Sequence, residues 1–163
     1  SYPGTMREYF IKRLEKKDFI AGKNIFYSFS PERINPGENE NNLFMIPKVI
    51  SGETKKCEFL IERFYSKIFN STYLSKNIET AEFTKILENV YRAVNIAFID
   101  EWTRFAHKIG VNLNEVIDGI KLRSTHNNIM RPGLGVGGYC LTKDPEFEPN
   151  PEWSNEIERL KTN

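Results

Sequence analysis

The chain has 163 residues, 39% of them hydrophobic and 28% charged, with a formal net charge of +1. That is ordinary soluble composition, long enough for one domain with a core, and its balanced charge excludes a general pull toward nucleic acid or a membrane surface. No apolar run approaches the roughly 20 residues of a spanning helix and no signal-peptide pattern opens the chain; the two cysteines form neither a disulfide framework nor a metal site, so a reducing cytoplasm is the expected setting.

In chain order, REYFIKRLEKK (residues 7–17) reads as a helix, and NIFYSFS (24–30) as a strand leading straight to Glu32. NPGENENN (35–42) is a polar loop. MIPKVISG (45–52) reads as a strand, TKKCEFLIERFYSKIF (54–69) as an amphipathic helix carrying Cys57, and STYLSK (71–76) as a short strand. Helices alternating with strands suggest an α/β arrangement, the second half of a doubly wound sheet. A long amphipathic helix is then predicted from Thr80 to Lys108, ended by Gly110, and another from Asn114 to Leu122. Phe83, Ile86, Leu87, Val90, Val94, Ala97, Phe98 and Trp102 keep helical spacing on the long one. Its length exceeds the usual globular range, so part of its apolar surface is expected to pack on another domain or subunit. Lys85 and Asn89 lie four apart on one face, with Arg92 and Asn95 continuing a polar stripe; a solvated face would look the same. His107 and His126 have no ligand spacing and read as structural or surface residues.

The run RPGLGVGGYCLTKDP (131–145) sets one cysteine directly after a glycine-rich turn and one aspartate four residues beyond it. If Cys140 begins a helix, the helix dipole and nearby Lys143 would favour the nucleophilic thiolate, and Asp144 would face the same cavity one turn on. The plainer alternative is a glycine loop beside a buried cysteine. Gly133, Gly135 and Gly138 also satisfy G-x-G-x-x-G, but the preceding THNNIMRP is polar and ends in proline. A dinucleotide turn needs a hydrophobic strand there, so that reading is rejected.

Taken together, AEFTKILENVYRAVNIAFIDE and PGLGVGGYCLTKDP resemble the UDP-sugar 6-dehydrogenases, which oxidise a sugar CH2OH to a carboxylate with NAD. YPGTMRE, FSPERINPGE and IPKVISG occur upstream in family order, and SPERINPGE with HNNIMRPGLGVGGYC is closer to the enzymes acting on UDP-N-acetylhexosamines, such as UDP-N-acetylmannosamine. The resemblance implies the second half of a Rossmann-like NAD-binding domain over residues 1–78, a central helical dimerisation domain with the cysteine loop over 79–147, and a tail at 148–163. The long helix would link domains and form a homodimer interface.

By the same resemblance Cys140 is the nucleophile, holding the intermediate aldehyde as a thiohemiacetal whose hydride loss leaves a thioester for water to cleave. Lys85 and Asn89 match the family's K-x-x-x-N and would stabilise the oxyanion. Asp144 matches the aspartate four after the cysteine, and Glu32 the glutamate of S-P-E, the carboxylates for proton transfer and water activation. Arg131, Arg92, Gly137 and Gly138 are the candidate substrate-binding residues, and Lys143 of the K-D pair is a candidate at the cofactor. No residue is assigned to a metal. Two departures stand out. The position four after Glu32 is Pro36, where some UDP-glucose enzymes carry a second glutamate; and the chain starts within a motif that the family precedes with E-S-T and a G-x-G-x-x-G unit for NAD, so a fragment or truncated product is expected. The competing expectations are a non-catalytic helical dimerisation or interaction module, and a UDP-glucose 6-dehydrogenase.

Overall fold

The structure, a computed structural model, describes residues 2–33 and 44–147. The loop NPGENENN, Pro36 and the tail's EWSNEIERLKTN lie outside the described residues. The chain divides into two compact units, Ser1–Lys85 and Ile86–Asn163.

In the first unit the opening helix begins as a π-helical turn, Arg7–Ile11, and continues as α1, Lys12–Glu15. It stops short of the predicted end because Asp18 adopts a left-handed φ of 63°. The Asp18 and Phe19 N–H groups then close back on the carbonyls of Glu15 and Leu14, the double closure of a Schellman ending. The predicted strand at 24–30 shrinks to β1, Ser28–Phe29. Its first half is consumed by a turn, in which Ile20 N–H donates to Asn24 Oδ1 and Gly22 N–H to the Ile25 carbonyl. β2, Lys48–Gly52, starts directly after Pro47, which has no N–H to give a ladder.

All five residues of β2 are buried, between β1 on one side and β3, Thr72–Leu74, on the other. β1 runs antiparallel to β2, with Ser28 opposite Gly52, and β3 runs parallel, with Lys48 opposite Thr72. The parallel pair needs a crossover, supplied by α2, Lys55–Tyr65. Thr54 caps α2 by accepting the Cys57 N–H. The helix lies so close to the strand that a Cβ on Gly52 would stand 2.3 Å from the Glu58 nitrogen. Cys57 is fully buried there. A second cluster, Ile11, Tyr27 and Ile78, packs the opening helix on the start of α3.

α3, Ile78–Lys108, is 31 residues long and crosses from the first unit into the second. Two carboxylates in its first turns fasten the chain's opening segment. Glu82 is fully buried and accepts N–H bonds from Gly4 (2.6 Å) and Met6 (2.9 Å). Glu79 accepts from Arg7 Nε at 2.5 Å, while both terminal nitrogens of Arg7 donate to Glu53. The hydrogen bonds Arg7 donates to Glu53, then to Glu79, push its pKa upward, and Arg7 in turn holds the Glu79 carboxyl below its ordinary value.

In the second unit α3 ends on Gly110, φ 72°. Gly110 N–H bonds the His107 carbonyl and Val111 N–H the Ala106 carbonyl, a full Schellman motif. Asn112 caps α4, Leu113–Lys121, by accepting the Asn114 N–H. A short 3-10 turn, Ser124–His126, and the glycine loop lead to α5, Tyr139–Lys143, and a 3-10 turn, Asp144–Phe147.

The buried stripe of α3 mixes isoleucines with small and polar residues: Ile78, Ala81, Glu82, Ile86, Asn89, Ala93, Ala97, Ile99 and Ala106 are all covered. Of the apolar residues read from the sequence, Ile86 and Ala97 are buried, whereas Phe83, Leu87, Val94, Phe98 and Trp102 are exposed. Tyr91 and Phe105 extend that exposed stripe. Among the described residues no helix is long and apolar enough to cross a membrane.

Candidate active site

Cys140 is the second residue of α5 and its side chain is exposed, so the alternative of a buried structural cysteine is excluded. Gly138 precedes the helix at φ 82°, a left-handed conformation that a side chain would strain. Thr142 Oγ1 donates to the Gly138 carbonyl at 2.7 Å and so ties the turn that presents the thiol. Gly137 has open space where a Cβ would stand, so close packing does not explain its lack of one.

Asp144 follows α5 directly, one turn beyond Cys140, and is 94% buried. Its Oδ2 accepts from Asn89 Nδ2 at 2.5 Å, and Asn89 is itself buried on α3. Two candidate residues 55 positions apart are thereby in direct contact. Burying an amide and a carboxylate is costly unless they satisfy one another; the pair accordingly fixes the cysteine turn on α3. Lys143 Nζ stands 3.8 Å from Asp144 Oδ1 and 5.1 Å from the centre of the Tyr139 ring.

Lys85 lies one helical turn before Asn89 on the same helix, half-buried, and Arg92 lies further along it, also half-buried. Arg131 is engaged by Asp118 of α4 at 2.5 Å. It lines a cavity of about 330 Å³ together with Asp100, Lys121, Gly133 and Gly135. Asp118 was not singled out in the sequence; four charged residues in LNEVIDGIK and its flanks look like a solvated helix face.

Glu32 belongs to the first unit. Its carboxylate is more than half exposed, yet both oxygens are engaged: Oε1 accepts the Arg33 N–H at 2.7 Å and Oε2 accepts from Lys48 Nζ at 3.2 Å. Lys48 is the residue that sequence reasoning missed. A lysine inside the fully buried run KVISG was the available signal, because a strand buried on both faces seldom carries a charge without a partner. Glu82 gave the same kind of signal, a carboxylate four residues from both Ile78 and Ile86 on the buried stripe of α3.

The described residues do not form a dinucleotide cradle. The one triplet of glycines with that spacing follows no strand and opens a helix of only five residues.

The model of the UDP-glucose/GDP-mannose dehydrogenase family, central domain, matches residues 79–150. Protein CapL of Staphylococcus aureus is 36% identical over 150 residues, covering 90% of this chain and 34% of its own length. UDP-N-acetyl-D-glucosamine 6-dehydrogenase of Pseudomonas aeruginosa is 37% identical over 150 residues, covering 90% and 35% respectively. The chain thus spans about a third of the length of these curated relatives. Among solved structures, the UDP-N-acetyl-mannosamine dehydrogenase Cap5O from Staphylococcus aureus superposes with a TM-score of 0.79 at 32% identity, over 98% of this chain and 38% of that one. The UDP-D-ManNAc dehydrogenase from Pyrococcus horikoshii also gives 0.79, at 31% identity, over 98% and 39%. Residues 79–150 of this chain carry the central domain of the UDP-glucose/GDP-mannose dehydrogenase family.

Proposed function

We propose that this chain supplies the thiol and its supporting groups to an NAD-dependent, cytoplasmic UDP-sugar 6-dehydrogenase that converts the C6 hydroxymethyl of a UDP-N-acetylhexosamine to the uronate. The observation that carries the reading is the contact of buried Asn89 with buried Asp144, one turn from an exposed cysteine. The named relatives that act on UDP-N-acetylhexosamines favour that substrate class over UDP-glucose.

The C6 alcohol would first give up its hydroxyl proton to a carboxylate and a hydride to bound NAD, yielding the aldehyde; Cys140 Sγ then adds to the aldehyde carbon, and the oxyanion that forms is met by the Lys85 ammonium and the Asn89 amide. The Asp144 carboxylate, which accepts from Asn89 Nδ2, supports this reading by holding the amide in one orientation. A second hydride loss, again to NAD when bound, would leave a thioester on Cys140, and water, deprotonated with help from Asp144 or Glu32, releases the carboxylate and regenerates the thiol. Arg131 and Arg92 serve the substrate's phosphates or sugar, the loop at Gly137 and Gly138 gives it close approach, and Lys143 adds positive field near Asp144. NAD would accept the two hydrides, with Lys143 as the described residue proposed beside it.

The first unit is read as the second half of a Rossmann-like domain, supported by a β-α-β crossover with a parallel strand pair. The exposed stripe on α3 supports homodimerisation, and it equally favours a second reading in which the chain serves as a non-catalytic dimerisation module. One experiment separates the two. In the protein that carries this chain, Cys140→Ala should abolish NADH formation from UDP-N-acetylmannosamine, UDP-N-acetylglucosamine or UDP-glucose without loss of fold. Turnover that survives the substitution would refute the thiol mechanism, and wild-type protein inert on every UDP-sugar would favour the module.

A further inference from the structure

The Lys48 side chain is 92% buried at the start of the central strand, where a cation is expensive unless every donor is used. Its backbone cannot move away. Lys48 N–H donates to the Ser71 carbonyl, and β2 is laddered on both sides. The ammonium lies 5.4 Å from the centre of the Tyr65 ring and 5.3 Å from that of Phe69, the aromatic faces that stabilise a desolvated cation. From that seat it donates to the Pro31 carbonyl and to Glu32 Oε2, both at 3.2 Å. The segment bearing Glu32 is pinned again by Ser30 Oγ, which donates to the Val49 carbonyl at 2.7 Å. A carboxylate as exposed as Glu32 would ordinarily sample several rotamers. Here the Arg33 N–H on Oε1 and the Lys48 ammonium on Oε2 favour one.

We propose that Lys48 is a positioning residue for Glu32, an aromatic-seated buried cation that fixes the orientation of a carboxylate used in proton transfer. The proposal rests on the catalytic reading of Glu32. A buried lysine of purely structural use would need the loop carbonyl alone, whereas this one spends a charge-assisted bond on the solvent-facing carboxylate. Preorganisation of this kind lowers the barrier without binding substrate, so its loss should appear in kcat rather than KM.

The test is a double-mutant cycle in the protein that carries this chain, with Glu32→Gln, Lys48→Met and the pair, and Lys48→Arg as the conservative variant. Methionine matches the length of the lysine stem and suits the apolar seat, so Lys48→Met should fold, as circular dichroism would verify. Glu32→Gln should lower kcat by about a hundredfold, in the range of general acid–base catalysis. Lys48→Met should lower it by roughly tenfold at unchanged KM, with much of the loss recovered by Lys48→Arg, and should cost nothing further in the Glu32→Gln background. In the chain alone, Lys48→Met should speed hydrogen exchange at the Arg33 N–H, which the freed carboxylate no longer holds. An equal loss from Lys48→Met in both backgrounds would overturn the positioning role while leaving Glu32 catalytic. Unchanged kcat in Glu32→Gln would overturn the catalytic reading of Glu32, and the proposal with it.

Discussion

Replacing Glu82 by glutamine isolates the latch between α3 and the opening segment. Both oxygens of this fully buried carboxylate accept backbone N–H groups, Gly4 at 2.6 Å and Met6 at 2.9 Å. Glutamine keeps the volume and one acceptor oxygen but turns the other into an NH2 facing an N–H. A hydrogen bond to a charged group contributes about 1.5–3 kcal/mol, and a donor left unsatisfied costs about 1–3 kcal/mol. Allowing for relaxation of the partly exposed opening turn, Glu82→Gln should destabilise the first unit by about 3 kcal/mol. That is a large fraction of the roughly 5–15 kcal/mol by which domains are stable, and for a unit of residues 1–85 corresponds to a fall in Tm of about 12–24 °C. Urea denaturation gives the free energy, and hydrogen exchange at Gly4 and Met6 locates it. A loss below about 1 kcal/mol, with both amides as slow to exchange as in wild type, would refute the latch.

Gly52→Ala should be more damaging still, at about 3 kcal/mol or more, because its Cβ would meet backbone at 2.3 Å from the Glu58 nitrogen and 2.7 Å from the Cys57 carbonyl carbon; wild-type stability by denaturation would contradict the close approach of α2 to β2. Arg7 holds the Glu79 carboxyl below its ordinary value of 4.5, chiefly through its hydrogen bond. A depressed carboxylate stabilises the fold above its unfolded pKa, and that contribution drains as pH falls below 4.5 through the folded value. Glu79→Gln should therefore flatten the acid limb of stability against pH and leave the limb above pH ~6 unchanged; an identical acid limb would refute the linkage. Introducing Phe98→Glu and Trp102→Glu into the exposed stripe should convert a dimer to a monomer in sedimentation experiments; a wild-type protein monomeric at every concentration would dismiss the interface.

What the sequence determined by itself was local. Gly110 could end α3 because the two closing bonds of a Schellman motif span only five residues, and Asn112 and Thr54 could cap their helices through N–H groups within three residues. The K-x-x-x-N spacing put Lys85 and Asn89 on one face for the same reason, and α5 begins one residue before Cys140, where the glycine turn allows it. Length was less readable where a turn competed: β1 kept two of seven predicted residues once Asn24 and Gly22 had claimed the backbone groups before it. Only the tertiary structure decided which side of α3 is buried, since Glu82 is satisfied by amides 76 and 78 residues away and Asn89 by a carboxylate 55 residues away. It likewise gave Lys48 its aromatic seat and Arg131 its partner Asp118. Helical periodicity records that a face is apolar, but whether that face meets this chain's own core or something else depends on groups that no local pattern contains.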